Sequence, residues 1–162
     1  MFNKELLKEA KEYEKKLLNF FWRQGVNING AEDLVQETYL RLWKYSDRYK
    51  KTAKLSTFLF ILARQVLIDS YRRESSRVNR EETYSEEINQ VESPKVPCVA
   101  DDVRWAVSQL TLPLREVVEL GFFQELPYKE VAEILSIPIG TVKSRMSNAL
   151  KRLKEVFNDR GL

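Results

Sequence analysis

Residues Leu126 to Val156 read LPYKEVAEILSIPIGTVKSRMSNALKRLKEV. Val131, Ile134 and Leu135 fall on one face of a first helix, and Val142, Met146, Ala149, Leu150 and Leu153 on one face of a second, so the two stripes bury against each other. Ala132 is small enough for a close crossing, Pro138 stops the first helix, Gly140 relieves the reversal of the chain, and Thr141 is the expected cap of the second helix. Opposite the second stripe stand Ser144, Ser147, Asn148 and Lys151, flanked by Lys143, Arg145, Arg152 and Lys154. Short polar groups reach base edges and cations meet phosphates, so the pattern is that of a helix-turn-helix with its second helix in a major groove. An ordinary amphipathic surface helix is the alternative; the turn, together with six cations against two anions from Ser136 to Leu162, favours DNA.

Composition limits the remaining possibilities. The chain has 162 residues, 31% charged and 43% apolar, as in a soluble globular protein of one or two domains. Its longest apolar run, Phe58 to Ala63, is far short of a bilayer span, and the opening MFNKELLKEAKEYEKK lacks a signal-peptide core. A cytoplasmic protein without membrane insertion is expected. A single cysteine, Cys98, excludes an internal disulfide, and the lack of histidine removes the commonest zinc ligand and general base. Neither catalysis, cofactor nor metal is expected. Net charge is +3, unevenly spread: Met1 to Arg73 holds fifteen cations and nine anions, Glu74 to Val103 three and eight, and Arg104 to Leu162 nine and seven. Two basic lobes flanking an acidic strap suit a nucleic-acid partner.

Periodicity predicts helices over Phe2–Arg23, Ala31–Asp47, Thr57–Arg73, Asp101–Leu110 (with Asp101 as a possible cap) and Leu114–Phe123, followed by the helix-turn-helix. Glu74 to Ala100 lacks periodicity and carries Pro94 and Pro97, so it reads as a flexible acidic linker. The expected fold is all-α: two small helical domains over 1–73 and 101–162, joined by 74–100.

Two surfaces of the first lobe bear on function. In the helix from Ala31, Leu34, Val35, Thr38, Tyr39, Leu42 and Trp43 share the face expected to be buried, whereas Asp33, Gln36, Glu37, Leu40, Arg41 and Lys44 share the other. Leu40 on a charged face is either a hydrophobic anchor within a polar rim or a single exposed leucine of the common kind. The helix from Thr57 is apolar almost all round and should lie at the centre of its lobe. On it Phe58, Gln65, Asp69 and Arg72 form one arc, with Arg64 and Tyr71 at its edge. Beside the cationic loop Lys50, Lys51 and Lys54, that arc has the groups to hold single-stranded DNA; a core helix with solvated charges is the other reading.

AEDLVQETYLRLWK (Ala31 to Lys44), STFLFILARQVLIDSYRR (Ser56 to Arg73) and PYKEVAEILSIPIGTVKSRM (Pro127 to Met146) together resemble the bacterial sigma factors of the extracytoplasmic-function group, over nearly the whole chain. The resemblance implies a region 2 bundle and a region 4 helix-turn-helix that bind core RNA polymerase and promoter DNA. Asp33, Gln36, Glu37, Leu40 and Arg41 would dock on the beta-prime clamp helices, and a beta-subunit contact and an anti-sigma partner are also implied. Lys50, Lys51, Lys54, Ser56, Phe58, Arg64, Gln65 and Arg72 would serve the minus-10 element, where a base flips out. Thr141, Lys143, Ser144, Arg145, Ser147, Asn148 and Lys151 would read the minus-35 element, and the strap would thread toward the active-site cleft.

The chain departs from that pattern at Gln65, where the family usually has Asn, at Ser136, where many helix-turn-helices have Gly, and at Asn148 and Leu150, where arginines are common. Promoter choice therefore does not carry over. A stand-alone helix-turn-helix regulator is the rival reading, though it has no use for the Asp33–Arg41 face. A nuclease-like enzyme would need more converging acids than Asp33 and Glu37.

Overall fold

The computed structural model describes residues 4–48, 54–80 and 99–161; Lys50, Lys51, Cys98 and most of the acidic strap lie outside them. The described residues form helices and no strand. The first lobe comprises α1 (Lys4–Lys11), α2 (Glu14–Arg23), α3 (Ile28–Tyr45), a 3-10 turn (Ser46–Arg48) and α4 (Leu55–Arg80). The second comprises α5 (Val99–Ser108), α6 (Leu112–Val118) with a π-helical turn (Glu119–Phe123), α7 (Tyr128–Leu135) and α8 (Ile139–Asp159).

As its composition requires, α4 is the axis of the first lobe. Leu59, Phe60, Leu62, Ala63, Val66 and Leu67 are buried on it, and Leu17, Phe20 and Phe21 of α2 and Leu34, Val35, Thr38 and Leu42 of α3 pack in the same core. The Phe20 ring stands edge-on to Phe21 and Phe60, at 5.2 and 5.9 Å. Truncating a phenylalanine so enclosed costs about 3–5 kcal/mol, a large part of a small domain's stability.

The ends of several helices differ from the sequence expectation. The single helix expected over Phe2–Arg23 breaks at Glu12–Tyr13, where Glu12 N donates to Glu9 O and Tyr13 N to Ala10 O. The tightened turn re-aims the chain so that both Ala10 and Leu17 are buried. The Tyr39 hydroxyl, pushed up to about 12 by burial with the charge of Glu14 adding, donates to the Ala10 carbonyl at 3.2 Å. The helix expected from Ala31 starts three residues earlier, at Ile28, where Asn27 caps it: Asn27 Oδ1 accepts from Gly30 N at 2.7 Å. Gly25, at φ +92°, makes the reversal before it. Helix α4 runs to Arg80, seven residues beyond the expected stop, because an established helix propagates through polar residues that include neither glycine nor proline. Asp101 is no cap; α5 starts at Val99 and puts Asp101 and Asp102 in its first turn, where their charge suits the helix dipole.

The helix-turn-helix forms, but by another turn than the one expected. Ser136 takes the left-handed conformation (φ 55°, ψ 45°) and closes α7, with Ile137 N donating to Ala132 O at 3.1 Å. Pro138 precedes α8 as its N-cap, so Gly140 lies inside the first helical turn and makes no reversal. Thr141 is likewise within α8 and does not cap it. Buried Val131, Ile134 and Leu135 meet buried Val142, Met146 and Ala149, whereas Leu150, expected in the stripe, is 47% exposed.

A non-glycine residue in the left-handed region carries about 1 kcal/mol of backbone strain. Ser136→Gly is expected to relieve roughly that amount, since the side chain is exposed, and to raise the midpoint of denaturant unfolding without changing its slope.

Candidate nucleic-acid interface

On α8, Lys143, Ser144, Ser147, Asn148 and Lys151 are exposed together on the face away from α7, with Thr141 and Arg145 half-buried at its margins. The Ser144 hydroxyl donates back to the Thr141 carbonyl at 3.2 Å, a weak bond that base contact can replace. All seven residues expected to read the minus-35 element thus lie at the outer side of one helix. Arg152, on the flank, pairs with Glu155 at 3.2 Å.

On α3, Asp33, Gln36 and Leu40 are exposed, and Glu37 and Arg41 are half-buried beside them. Leu40 is 58% exposed, and Trp43, expected inside, is 59% exposed one turn on. The buried stripe of this helix continues past Trp43 to Tyr45, which packs on the core, so the indole stands beside the stripe and, one turn from Leu40, adds to the exposed apolar surface within the charged face. Sequence periodicity missed Trp43 because its angular position lies between the buried stripe and the outer face. Arg41 bonds to Glu37 at 3.3 Å and to Asp69 of α4 at 2.8 Å, which ties this face to the helix of the minus-10 arc.

The minus-10 candidates divide into two groups. Gln65 and Arg72 are exposed along α4, with Phe58 packed on the core at its start. Lys54, Ser56 and Arg64 face the second lobe. Lys54 Nζ stands 2.6 Å from Glu130 Oε1 of α7, Arg64 Nε 3.1 Å from Glu116 Oε1 of α6, and Ser56 lines a polar cleft of about 310 Å³ between the lobes. Asp69, placed on the same arc by periodicity, is drawn to Arg41 instead. Lys50 and Lys51 belong to the residues not described.

Between the lobes, Arg23 grips Glu119 with two bonds, Nε to Oε2 at 2.7 Å and Nη2 to Oε1 at 2.9 Å. Burial pushes the Glu119 carboxyl up, against the pull of Arg23 and of Gln124, whose amide donates to it at 3.0 Å. Arg104 donates to the carbonyls of Trp22 and Val26 at 2.8 and 3.1 Å while its guanidinium stacks on the Trp22 ring. Nothing in the sequence reading anticipated this joint, although a glutamate within the apolar run VVELGFF is the signal of a buried acid awaiting a partner. Leu150 and the 60%-exposed Phe122, with Val103, Leu153 and Phe157, line an apolar groove of about 410 Å³ on the second lobe.

Among the described residues no helix is long and apolar enough to cross a membrane, and no group of acids, cysteines and histidines converges as a metal site.

Comparison with known proteins returns two family models: Sigma-70 region 2 over residues 10–77 and Sigma-70, region 4 over residues 106–155. The chain is 28% identical over 160 residues to the ECF RNA polymerase sigma factor SigW of Bacillus subtilis, covering 91% of this chain and 86% of the relative. It is 33% identical over 135 residues to SigM of the same organism, covering 79% and 80%. Against SigL of Mycobacterium tuberculosis it is 30% identical over 149 residues, covering 87% and 84%. Among solved structures, the sigma factor RpoE in complex with the anti-sigma factor NepR from Bartonella quintana superposes with a TM-score of 0.81 at 25% identity, covering 96% of this chain and 98% of that one. A score of that size over nearly the whole chain requires a similar relative placement of the lobes.

The exposed α8 face makes a quantitative demand. If Lys143 and Lys151 meet phosphates, replacing either by alanine lowers the slope of log affinity against log salt by about one, with affinity falling uniformly across duplex sequences. A fluorescence-anisotropy titration over a salt series measures it, and an unchanged slope for both removes these lysines from the interface.

Proposed function

Because the chain belongs to the sigma-70 family, in its extracytoplasmic-function group, we propose that α3 docks on the beta-prime clamp helices of core RNA polymerase, that α4 captures the minus-10 element, and that α8 reads the minus-35 element. The protein is a sigma factor that directs transcription from chosen promoters, not a stand-alone regulator. The observation that carries the assignment of surfaces is the apolar pair Leu40 and Trp43 standing exposed within Asp33, Gln36, Glu37 and Arg41, on a lobe that has no helix-turn-helix. A hydrophobic centre in a charged rim is the anatomy of a protein interface, and a regulator acting alone has no need of one here.

The energetics fit a specificity subunit rather than a catalyst. Extracting a promoter base costs a few kcal/mol. Stacking and channel contacts return about 1–3 kcal/mol per base, so one or two captured bases on the Phe58–Arg72 arc offset the melting without ATP. The captured strand is held only where polymerase contacts add to these small terms, which makes core polymerase the necessary partner.

The apolar groove beside Leu150 and Phe122 offers the second lobe a surface for the expected beta-subunit contact. An anti-sigma protein acting in the cytoplasm fits the same reading, since the RpoE relative was solved in complex with one. Asn148 stands at the centre of the exposed α8 face and can both donate to and accept from base edges, which makes it the reader proposed to distinguish this chain's minus-35 preference from its relatives'.

Two measurements test the assignment. Leu40→Ala with Trp43→Ala is expected to weaken binding to core polymerase at least tenfold, to abolish promoter-directed transcription, and to leave the weak binding of the free chain to duplex DNA unchanged; core affinity equal to wild type would remove the α3 face from the interface. In a randomised promoter pool, Asn148→Arg is expected to shift the selected minus-35 sequence without altering core affinity, and an identical selected sequence dismisses Asn148 as a reader.

A further inference from the structure

Gly140 answers to no need among the described residues. Of the chain's five glycines, Gly25 and Gly161 take positive φ, and a Cβ on Gly30 or Gly121 would stand 2.9 Å from Val26 Cγ1 or 2.6 Å from Met146 Cε. Gly140 has no positive φ, and a Cβ placed on it would meet nothing within 4 Å among the described residues. The reversal expected of it is made by Ser136 instead. Glycine within a helix is nevertheless unfavourable, lowering the folding constant by a factor of about three relative to alanine. Where α8 needs only a small residue it carries alanine, as at the buried Ala149. A glycine that the fold does not use is explained by something outside the chain that comes too close for a Cβ.

Its position says what that is. Gly140 is exposed at the head of the reading face, with Ser144 one turn on, Ser147 and Asn148 two turns on and Lys151 three turns on, all exposed. From Ile139 to Lys154 the helix carries five cations and no acid, so the partner of this face is a polyanion. In a helix-turn-helix the first residues of the second helix are those that enter the groove. An α-helix with its side chains is about 10–12 Å across and the major groove about 12 Å wide, which leaves little to spare. A protein side chain can turn aside for an added methyl group, whereas a stacked base pair and its sugar-phosphate strand cannot.

We infer that Gly140 sets the depth at which α8 seats in the groove: promoter DNA lies against its bare Cα, and that close approach brings Ser144 and Asn148 within hydrogen-bond reach of base edges. The inference rests on the minus-35 assignment above and names the contact that fixes the register of that reading. A Cβ at Gly140 holds the helix off the DNA, and hydrogen bonds whose useful range is only about 2.7–3.2 Å weaken together.

The test uses the full chain assembled with core polymerase and, as probe, a fluorescein-labelled promoter duplex selected by the wild-type holoenzyme from a randomised pool. Gly140→Ala is expected to stabilise the free chain, its folding constant rising about threefold in denaturant unfolding. The same variant is expected to bind the promoter about tenfold more weakly, and Gly140→Leu, a good helix former with a larger side chain, about a hundredfold. Core affinity and the salt slope of promoter binding stay at the wild-type values, since no charge is removed. Promoter affinity of Gly140→Ala that is not below wild type overturns the proposal, as does a loss of stability in that variant, which would return the glycine to the fold. Lys143→Ala in the same assay separates the proposal from the reading beneath it. Weaker binding by Lys143→Ala but not by Gly140→Ala keeps α8 on the DNA and removes only the close contact, whereas no effect of either removes α8 from the DNA.

Discussion

The whole first lobe depends on the burial of α4. A helix with apolar side chains on almost every face cannot rest on a surface; it must be enclosed, and α1, α2 and α3, together with α7 of the second lobe, supply the enclosure around Leu59, Phe60, Ala63 and Val66. Between Leu55 and Tyr71 only Gln65 of α4 is fully exposed, and from Arg72 to Arg77 the helix stands in solvent. Enclosure therefore does two things. It provides the stability of the lobe, and it holds the polar side chains proposed to meet the minus-10 element on a rigid rod.

The same enclosure places the two proposed interfaces on different helices of one lobe. Helix α3 contributes Leu34, Val35, Thr38 and Leu42 inward and leaves Leu40 and Trp43 outward, so the face proposed for polymerase lies across the helix from the core. Arg41 links the two helices through Asp69 at 2.8 Å. In the second lobe the stripe of α8 against α7 plays the corresponding part, fixing the face proposed to read DNA by burying its opposite. Between the lobes the apolar core is continuous, and the ion pairs fix which surfaces face each other.

Much of this was legible in the chain because it follows from period. The apolar positions of α3, α4, α7 and α8, the exposed Leu40, the outer face of α8 and the family itself could all be read from spacing and motif. The misreadings are informative. Ser136 rather than Gly140 makes the turn, since a left-handed serine is tolerated where helix packing over-determines the backbone. Leu150 lies at the border of its stripe and opens into a groove, and Trp43 falls at the edge of the stripe it was expected to join. Helix ends at Lys11, Ile28 and Arg80 were set by caps, by re-aiming and by propagation, all weaker than the hydrophobic pattern and so less visible in it.

Sequence by itself determined that the chain is helical, that it makes two lobes, and which helix faces are apolar or cationic, because side-chain period and charge are local properties carried by each segment. Only the tertiary structure decided that Arg23, Arg64 and Lys54 spend their charge on Glu119, Glu116 and Glu130, partners 96, 52 and 76 residues away. No periodicity encodes such a pairing. It arises when surfaces from distant parts of the chain meet, and the low dielectric of the contact gives each buried carboxylate a strong need for the cation it finds there.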